Sequence, residues 1–357
     1  MDMRVKILAI DIGAGTQDIL LFDSAKKIEN CISLVLPTPS KFIAEKLKSI
    51  DSHIYIYGDT IGGGSLIRAI LNHLKKGYRV VMEASAAYSI RNDLDEVKSM
   101  GIEVGEYPGS DHFQKMEIRE VDLPVLENFV SNFGENLQAD VIAIAVQDHG
   151  VAPKGVSDRA FRFEKMEALL RKDRRPETFC FAENSIPPYY LRMRSAVKAV
   201  RRTSTTPVLV MDTSFSAILG CTEEVTGPSL VVNVGNGHTI AALVIEGKIE
   251  GLYEHHTHEL TPEKLEHDLG LLTRGELDGK KVFEENGHGA ITLNPYQGEV
   301  HLFVTGPNRD LFKGTRMKFT YAAPGGNTMM TGPMGLVRAA QYRFGQSSGE
   351  QKEVSRK

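Results

Sequence analysis

The sequence predicts an α/β protein built from two similar lobes, and two observations lead to this fold class. Apolar segments with the length of strands alternate with segments of helical length and pattern, which is typical of layered α/β architectures. In addition, a glycine-containing hairpin at residues 7–23 returns 222 positions later at residues 230–245. A repeat at this distance indicates two lobes that each present a hairpin to a ligand lying between them.

The first hairpin opens with an apolar strand that contains one carboxylate, Asp11. A carboxylate in a central strand is costly unless it is paired or binds a cation. The turn that follows, Gly13-Ala14-Gly15-Thr16, offers backbone N–H groups that can approach an anion, because glycine has no side chain. A carboxylate for a hydrated cation beside bare amides for phosphate is typical of a nucleotide-binding site.

Composition limits the possible function classes. The chain has 357 residues, of which 41% are hydrophobic, enough for about two domains. The net charge of −4, with both signs mixed along the chain, does not indicate a nucleic-acid or membrane partner. No apolar run is long enough to span a bilayer, and no leader is visible, so we expect a cytoplasmic protein.

Three other segments allow a functional and a structural interpretation. The glycine run at 58–64 lacks the Gly-Lys-Ser/Thr ending of a P-loop, so a strand-to-helix turn is favoured. The charged stretch at 159–202 could dock an acidic partner, but a solvated helix face is the commoner explanation. Among the histidines at 255, 256 and 258, His256 and His258 could share a metal, although a polar strand end is favoured.

The second half of the chain contains two further segments of interest. A strand at 207–212 ends in Asp212 and leads into a helix of small residues, so Asp212 is either an N-cap or a catalytic acid. The glycine-rich segments at 305–308 and 324–335 could lie against a flat ring, and a helix is expected at 336–344.

Together these motifs resemble the superfamily of actin, heat-shock chaperone ATPases and sugar or acetate kinases. The two phosphate motifs, the connecting segment and the adenosine segment of that superfamily correspond here to 11–16, 233–239, 211–220, and 305–308 with 325–327 and 332–335. The resemblance implies a two-lobed, actin-like ATPase fold with Mg-ATP between the lobes.

The resemblance also implies roles for individual residues. Phosphate would be held by Gly13, Ala14, Gly15, Thr16, Gly235, Asn236 and Gly237, and the adenosine by Gly306, Gly325, Gly326 and Asn327. Asp11 and Asn233 would hold Mg2+, mainly through Asp11, because the amide of Asn233 has no charge where the superfamily usually has an aspartate. Asp212 would orient the attacking water, so that Asp11 and Asp212 are the predicted catalytic pair.

The predicted organisation follows from the same comparison. Lobe I covers residues 1–211 with an α/β insertion of its own, and lobe II covers residues 212–335. A helix at 336–345 returns to lobe I, and the polar residues 346–357 are expected to be disordered.

The predicted function is slow ATP hydrolysis coupled to lobe closure and to a protein partner. A small-molecule kinase and a nonenzymatic nucleotide switch are the alternatives. The chain is most similar to a largely archaeal family labelled pyruvate formate-lyase activating enzyme. Such an activase holds an iron–sulfur cluster with three closely spaced cysteines, whereas Cys31, Cys180 and Cys221 are far apart, so this chemistry is disfavoured.

Overall fold

The first glycine hairpin begins a mixed six-stranded sheet in the computed structural model of the chain, which describes residues 4–222 and 227–354. Its antiparallel strands are β1 (Lys6–Ile12), β2 (Thr16–Asp23) and β3 (Ile32–Pro37). Nearly all of β1 is buried, because it is a central strand with apolar residues facing both sides of the sheet.

A smaller parallel sheet is inserted after β3. Its elements are α1 (Pro39–Lys48), β4 (His53–Gly58), α2 (Gly64–Lys75), β5 (Val80–Met82), α3 (Ala84–Ala87), α4 (Leu94–Ser99), β6 (Glu103–Val104) and β7 (Phe113–Ile118). The strand order is β6-β5-β4-β7, and the sheet has a hydrophobic core of its own. The glycine run at 58–64 connects β4 to α2, as a strand-to-helix turn would.

The chain then completes the first sheet. The elements are α5 (Leu123–Ser131), β8 (Val141–Val146), α6 (Asp158–Lys172), β9 (Cys180–Ala182), α7 (Leu191–Arg201), β10 (Val208–Asp212) and α8 (Thr213–Cys221). The strand order is β3-β2-β1-β8-β10-β9, in which β1, β8 and β10 are parallel. The carboxyl ends of these three strands therefore lie at the same edge of the sheet, near the first hairpin turn.

A second six-stranded sheet repeats the plan of the first. Its elements are β11 (Ser229–Val234), β12 (His238–Ile245), β13 (Lys248–His256), α9 (Pro262–Arg274), α10 (Gly279–Glu284), β14 (Gly289–Thr292), β15 (His301–Thr305) and β16 (Thr320–Tyr321), followed by α11 (Thr331–Val354). Again three antiparallel strands, β11, β12 and β13, come first, and β15 pairs in parallel with β11 as β8 does with β1. The predicted two-lobed α/β fold is confirmed by this topology.

The helices α8 and α11 pack against each other between the two sheets. A Cβ atom on Gly220 would lie 1.8 Å from the carbonyl oxygen of Thr331, and one on Gly335 would lie 1.8 Å from that of Ser216. Only glycine at both positions allows the two backbones to approach so closely. α11 also contacts β1 and β8 of the first sheet, and α8 contacts β11 and β15 of the second, so the helix pair connects the two sheets.

The C-terminal helix differs from its prediction at both ends. It begins at Thr331 instead of residue 336, because Gly332 and Gly335, which read as turn residues in the sequence, pack inside the helix against neighbouring groups. It continues to Val354, into the segment expected to be disordered, and residues 355–357 lie outside the described residues. No helix in 4–222 or 227–354 combines the length and apolar character needed to span a bilayer.

Candidate functional site

The two hairpin turns have the same local geometry. The N–H of Gly13 donates to the carbonyl of Thr16 at 2.9 Å, and the N–H of Gly235 donates to the carbonyl of His238 at 2.9 Å. Within the described parts of the chain, the intervening amides at 14, 15, 236 and 237 have no hydrogen-bond partner. Each turn therefore presents unpaired donors, as a binding site for an anion requires.

The turns face each other across a small cavity of about 100 Å³. Its wall includes ten of the residues predicted for the site: Asp11, Gly13, Ala14, Gly15, Thr16, Asn233, Gly235, Asn236, Gly237 and Gly306. The structure thus brings together residues from both lobes that are more than two hundred positions apart. The sequence repeat is what made this convergence predictable.

Three predicted adenosine residues lie outside this wall. Gly325, Gly326 and Asn327 form a turn just before the cavity, whereas Thr328 and Met329 line it. The side chain of Asn327 accepts a hydrogen bond from the N–H of Met329 at 2.9 Å and so shapes the entry to α11.

Asp11 is the carboxylate predicted beside the first turn, and it is only 9% exposed. Its Oδ1 atom accepts a hydrogen bond from Oγ1 of Thr213 at 2.6 Å. A Cβ atom on Gly332 would lie 1.9 Å from its Oδ2 atom, so α11 approaches the carboxylate through a glycine. Burial, followed by the charge of Asp18, raises the pKa of Asp11 to about 8.

Asp18 belongs to the site although the sequence reasoning did not identify it. It is the direct partner of Asp11 in the pairing of β1 with β2, and its buried Oδ1 atom has no hydrogen-bond partner among the described residues. Burial raises the pKa of Asp18 to about 6. The sequence contains a signal for this pairing in the register of the hairpin. Asp11 lies two positions before Gly13 and Asp18 lies two positions after Thr16, so a hairpin with its turn at 13–16 places the two aspartates opposite each other.

Asp212 does not line the cavity. Its Oδ1 atom accepts the N–H of Ser214 at 3.0 Å and caps α8, which is the structural role considered for it. Both oxygens also accept hydrogen bonds from Arg162, at 2.7 Å from Nη1 to Oδ2 and 3.2 Å from Nη2 to Oδ1. The catalytic role of Asp212 stays a prediction.

Arg162 lies in a buried cluster of charges below the second turn. Its Nε atom donates to Oε2 of Glu254 at 3.0 Å, and Nη1 also donates to the carbonyl of Asp148 at 3.0 Å. Burial raises the pKa of Glu254, but the charge of Arg162, its hydrogen bonds and the neighbouring histidines together outweigh burial and hold this pKa below its usual range. With Asp212, the cluster combines one positive and two negative side chains.

Three histidines converge beside this cluster. His149 follows β8, His238 begins β12, and His288 precedes β14; one ring nitrogen of each lies within 4.8 Å of the other two. Burial is the main cause that lowers the pKa of His238 to about 4 and that of His288 to about 3. The sequence reasoning considered His256 and His258 instead, and His258 is largely exposed.

The three cysteines are buried in the core. Cys180 lies in β9 and Cys221 ends α8, whereas Cys31 precedes β3. Burial raises the pKa of Cys180 to about 12, which disfavours the thiolate that a metal or cluster requires.

Comparisons with known proteins give three results. The fold is similar to that of the ethanolamine utilization protein EutJ from Carboxydothermus hydrogenoformans, at 10% identity and a TM-score of 0.33, over 94% of this chain and 89% of that one. It is also similar to MreB5 of Spiroplasma citri bound to AMPPNP, at 10% identity and a TM-score of 0.33, over 98% and 99% of the two chains. No curated protein matches the chain.

The family comparison covers most of the sequence. Residues 61–311 match the family described as "Putative pyruvate format-lyase activating enzyme (DUF1786)". Because the match includes more than half of the 357 residues, the chain belongs to this family.

Proposed function

We propose that the cavity between the two hairpins binds a magnesium nucleotide, with ATP as the main candidate, and that the protein hydrolyses it slowly. The observation that supports this most strongly is the pair of matching glycine turns, one from each lobe, beside the buried carboxylate of Asp11. Unpaired backbone amides on two sides suit a chain of phosphates, which has anionic oxygens along its whole length.

The acidic side chains suit a hydrated Mg2+ ion. Mg2+ prefers oxygen ligands and usually binds one or two carboxylates while it keeps several waters. Asp11 and Asp18 offer two carboxylates on neighbouring strands, and the unpartnered Oδ1 atom of Asp18 lacks the donor that a buried oxygen needs. Asn233 would add an uncharged oxygen from the other lobe, since its Oδ1 atom lies near Gly306 at the cavity.

The size of the cavity supports a movement of the lobes during binding. A volume of about 100 Å³ is well below the range of about 300–1,000 Å³ that is usual for ligand sites. The turns nearly touch, because a Cβ atom on Gly15 would lie 2.3 Å from Nδ2 of Asn236. A nucleotide therefore enters only if the turns separate, and we propose that lobe opening and closure accompany its binding and the docking of a protein partner.

The base and the catalytic groups complete the proposal. Gly306, with Gly325, Gly326 and Asn327 at the turn before the cavity, would lie along the adenosine. ATP with its Mg2+ supplies an electrophilic phosphoryl group whose transfer depends on positioning and charge stabilisation. Asp212 would face the attacking water only after it releases Arg162 and the N–H of Ser214, which favours slow turnover.

The proposal is tested by calorimetric titration with ATP, ADP and GTP, with and without Mg2+. We expect ATP to bind with Mg2+, and Asp11→Asn to weaken this binding at least about tenfold, because a charged ligand is lost. Asp111→Asn, which changes an exposed aspartate in the insertion, is the matched control and should bind as the native chain does.

Phosphate release by the same preparation tests the hydrolysis. Release that disappears with Asp11→Asn supports the ATPase, whereas tight binding without release identifies a nucleotide switch. Faster transfer to a metabolite than to water identifies a kinase. No binding of any nucleotide at millimolar concentration would overturn the whole proposal.

A further inference from the structure

The histidine group lies where the two lobes meet, next to the nucleotide cavity but separate from its carboxylates. His149 comes from lobe I, just beyond β8, whereas His238 and His288 come from lobe II. His238 also contributes to the cavity wall. The three rings contact one another, with centroids 4.8 to 5.5 Å apart.

The ring nitrogens of this group lack the partners that buried polar atoms normally have. His288 is 2% exposed, and neither of its ring nitrogens has a hydrogen-bond partner among the described residues. Nε2 of His238 is also buried without a partner there. Buried polar groups in native proteins nearly always have a hydrogen-bond partner or a ligand. The unpartnered ring nitrogens therefore indicate a ligand that binds to their lone pairs.

The charges around the histidines favour a cation. The neighbouring cluster of Arg162, Asp212 and Glu254 has one positive and two negative side chains, which leaves a net charge of −1 in a buried region. The cluster is adjacent to the histidines, because the backbone N–H of His288 donates to the backbone carbonyl of Glu254 at 2.9 Å. A buried net charge is unfavourable unless a counter-charge lies close to it.

The spacing of the nitrogens is close to that of a metal site. Nitrogens within 4.8 Å of one another need to move inward by about 0.8 Å each to form three corners of a tetrahedral site with Zn–N distances of about 2.05 Å. Small rotations of the three rings supply such a movement. Three histidines with a fourth position left open are a common ligand set for zinc, and imidazole also suits other first-row transition metals.

We propose that His149, His238 and His288 bind one divalent transition metal ion, of the kind represented by Zn2+, and that this ion links the two lobes beside the nucleotide cavity. Mg2+ does not fit here, because it prefers oxygen ligands. The ion is thus distinct from the one proposed at Asp11, and the inference does not depend on nucleotide binding.

Gln147 has a supporting position in this site. The Nε2 atom of its side-chain amide lies 2.9 Å from Nδ1 of His238. When the amide group is turned over, its Oε1 atom takes this place and accepts the Nδ1 proton, which leaves the Nε2 lone pair of His238 for the ion. Such partners of a ligating histidine fix its tautomer and orientation.

The test uses the whole chain, freed of metal with a chelator and titrated with Zn2+ in the absence of nucleotide. We expect one equivalent to bind tightly and Co2+ in its place to give the intense visible absorption of a nitrogen-ligated ion with few ligands. His149→Ala and His288→Ala should each weaken Zn2+ binding by at least about 100-fold, and Gln147→Ala by about 10-fold.

Two histidine variants are the controls. His267→Ala changes an exposed position on α9, and His258→Ala removes the exposed member of the pair suggested by the sequence; both should bind Zn2+ as the native chain does. Because His288 is buried, circular dichroism is used to check that His288→Ala folds as the native chain does. If His288→Ala does not fold, His149→Ala gives the decisive result, because His149 is partly exposed. Absence of stoichiometric binding, binding that survives His149→Ala, or binding that is lost in His258→Ala overturns the proposal.

Discussion

Asp11 and Asp18 are direct cross-strand partners in the first hairpin, and both carboxylates are more than nine-tenths buried. Directly opposed like charges destabilise a strand pair, and burial adds a desolvation cost to each. The cation proposed beside these two acids would relieve both costs, as protonation of Asp11 does in its absence, because burial raises the pKa of Asp11 to about 8.

The opposed pair predicts that Asp18→Asn raises the stability of the protein and weakens its binding of a magnesium nucleotide. Above the pKa of about 8 that Asp11 has here, both carboxylates are charged, so removal of one of them should raise the free energy of unfolding of the metal-free protein by about 1 kcal/mol. Mg2+-dependent nucleotide binding should weaken at the same time. Urea unfolding and calorimetry measure the two effects, and Asp111→Asn should show neither. A variant that loses stability and keeps full binding would exclude Asp18 from the cation site.

The buried Arg162 predicts a large loss of stability in Arg162→Met. Without the guanidinium, Asp212 and Glu254 are left buried without a counter-charge, which costs about 3–5 kcal/mol. Arg171→Met is the matched control on the same helix, because its ion pair with Glu167 is exposed and should cost less than about 1 kcal/mol. Equal urea midpoints for the two variants would show that the cluster adds nothing to stability.

The contact between α8 and α11 predicts opposite effects for two glycine substitutions. A Cβ atom on Gly335 would lie 1.8 Å from a backbone oxygen of α8, which cannot move away freely, so Gly335→Ala should cost about 1–3 kcal/mol or more. Gly64→Ala in α2 meets no atom within 4 Å and should be neutral or slightly stabilising. Thermal unfolding of both variants compares them, and a stable Gly335→Ala would contradict the close helix contact.

Asp212 can be tested by two substitutions that separate its possible roles. Asparagine caps helices as well as aspartate does, so Asp212→Asn should keep α8 capped but lose the charge that pairs with Arg162, whereas Asp212→Ala loses both. If Asp212 orients water, both variants lower the ATP hydrolysis rate far more than they lower ATP affinity. If only Asp212→Ala lowers stability and neither variant changes the rate, Asp212 is a helix cap alone.

The sequence predicted those parts of the site that depend on local patterns. Strand, turn and strand follow one another in both hairpins, so the positions of Asp11, Gly13 and Gly235 could be predicted from residue type and spacing. The repeat then placed the two turns together. Gly325 and Gly326 were assigned to the adenosine by the family resemblance and their glycine content, neither of which says which glycines face a cavity.

The rest depended on contacts between distant parts of the chain. Arg162 belonged to a charged segment expected to be solvated, and only the packing of α6 against β13 and β10 buries it. His149, His238 and His288 are separated by tens of residues, and nothing in their surroundings resembles a metal motif. The early start of α11 depended on its packing against α8, which overrides the usual effect of glycine on helices.

The two lobes repeat one sheet plan, but the equivalent positions Asp11 and Asn233 differ in charge. The carboxylates Asp11 and Asp18 both belong to lobe I, while the matching position of lobe II has an uncharged amide. A bound ligand with a divalent ion would therefore experience a polarised environment, with the ion drawn towards lobe I. We expect the complex to open by movement of lobe II away from the ligand. The bound nucleotide and its ion would then remain on lobe I until they dissociate.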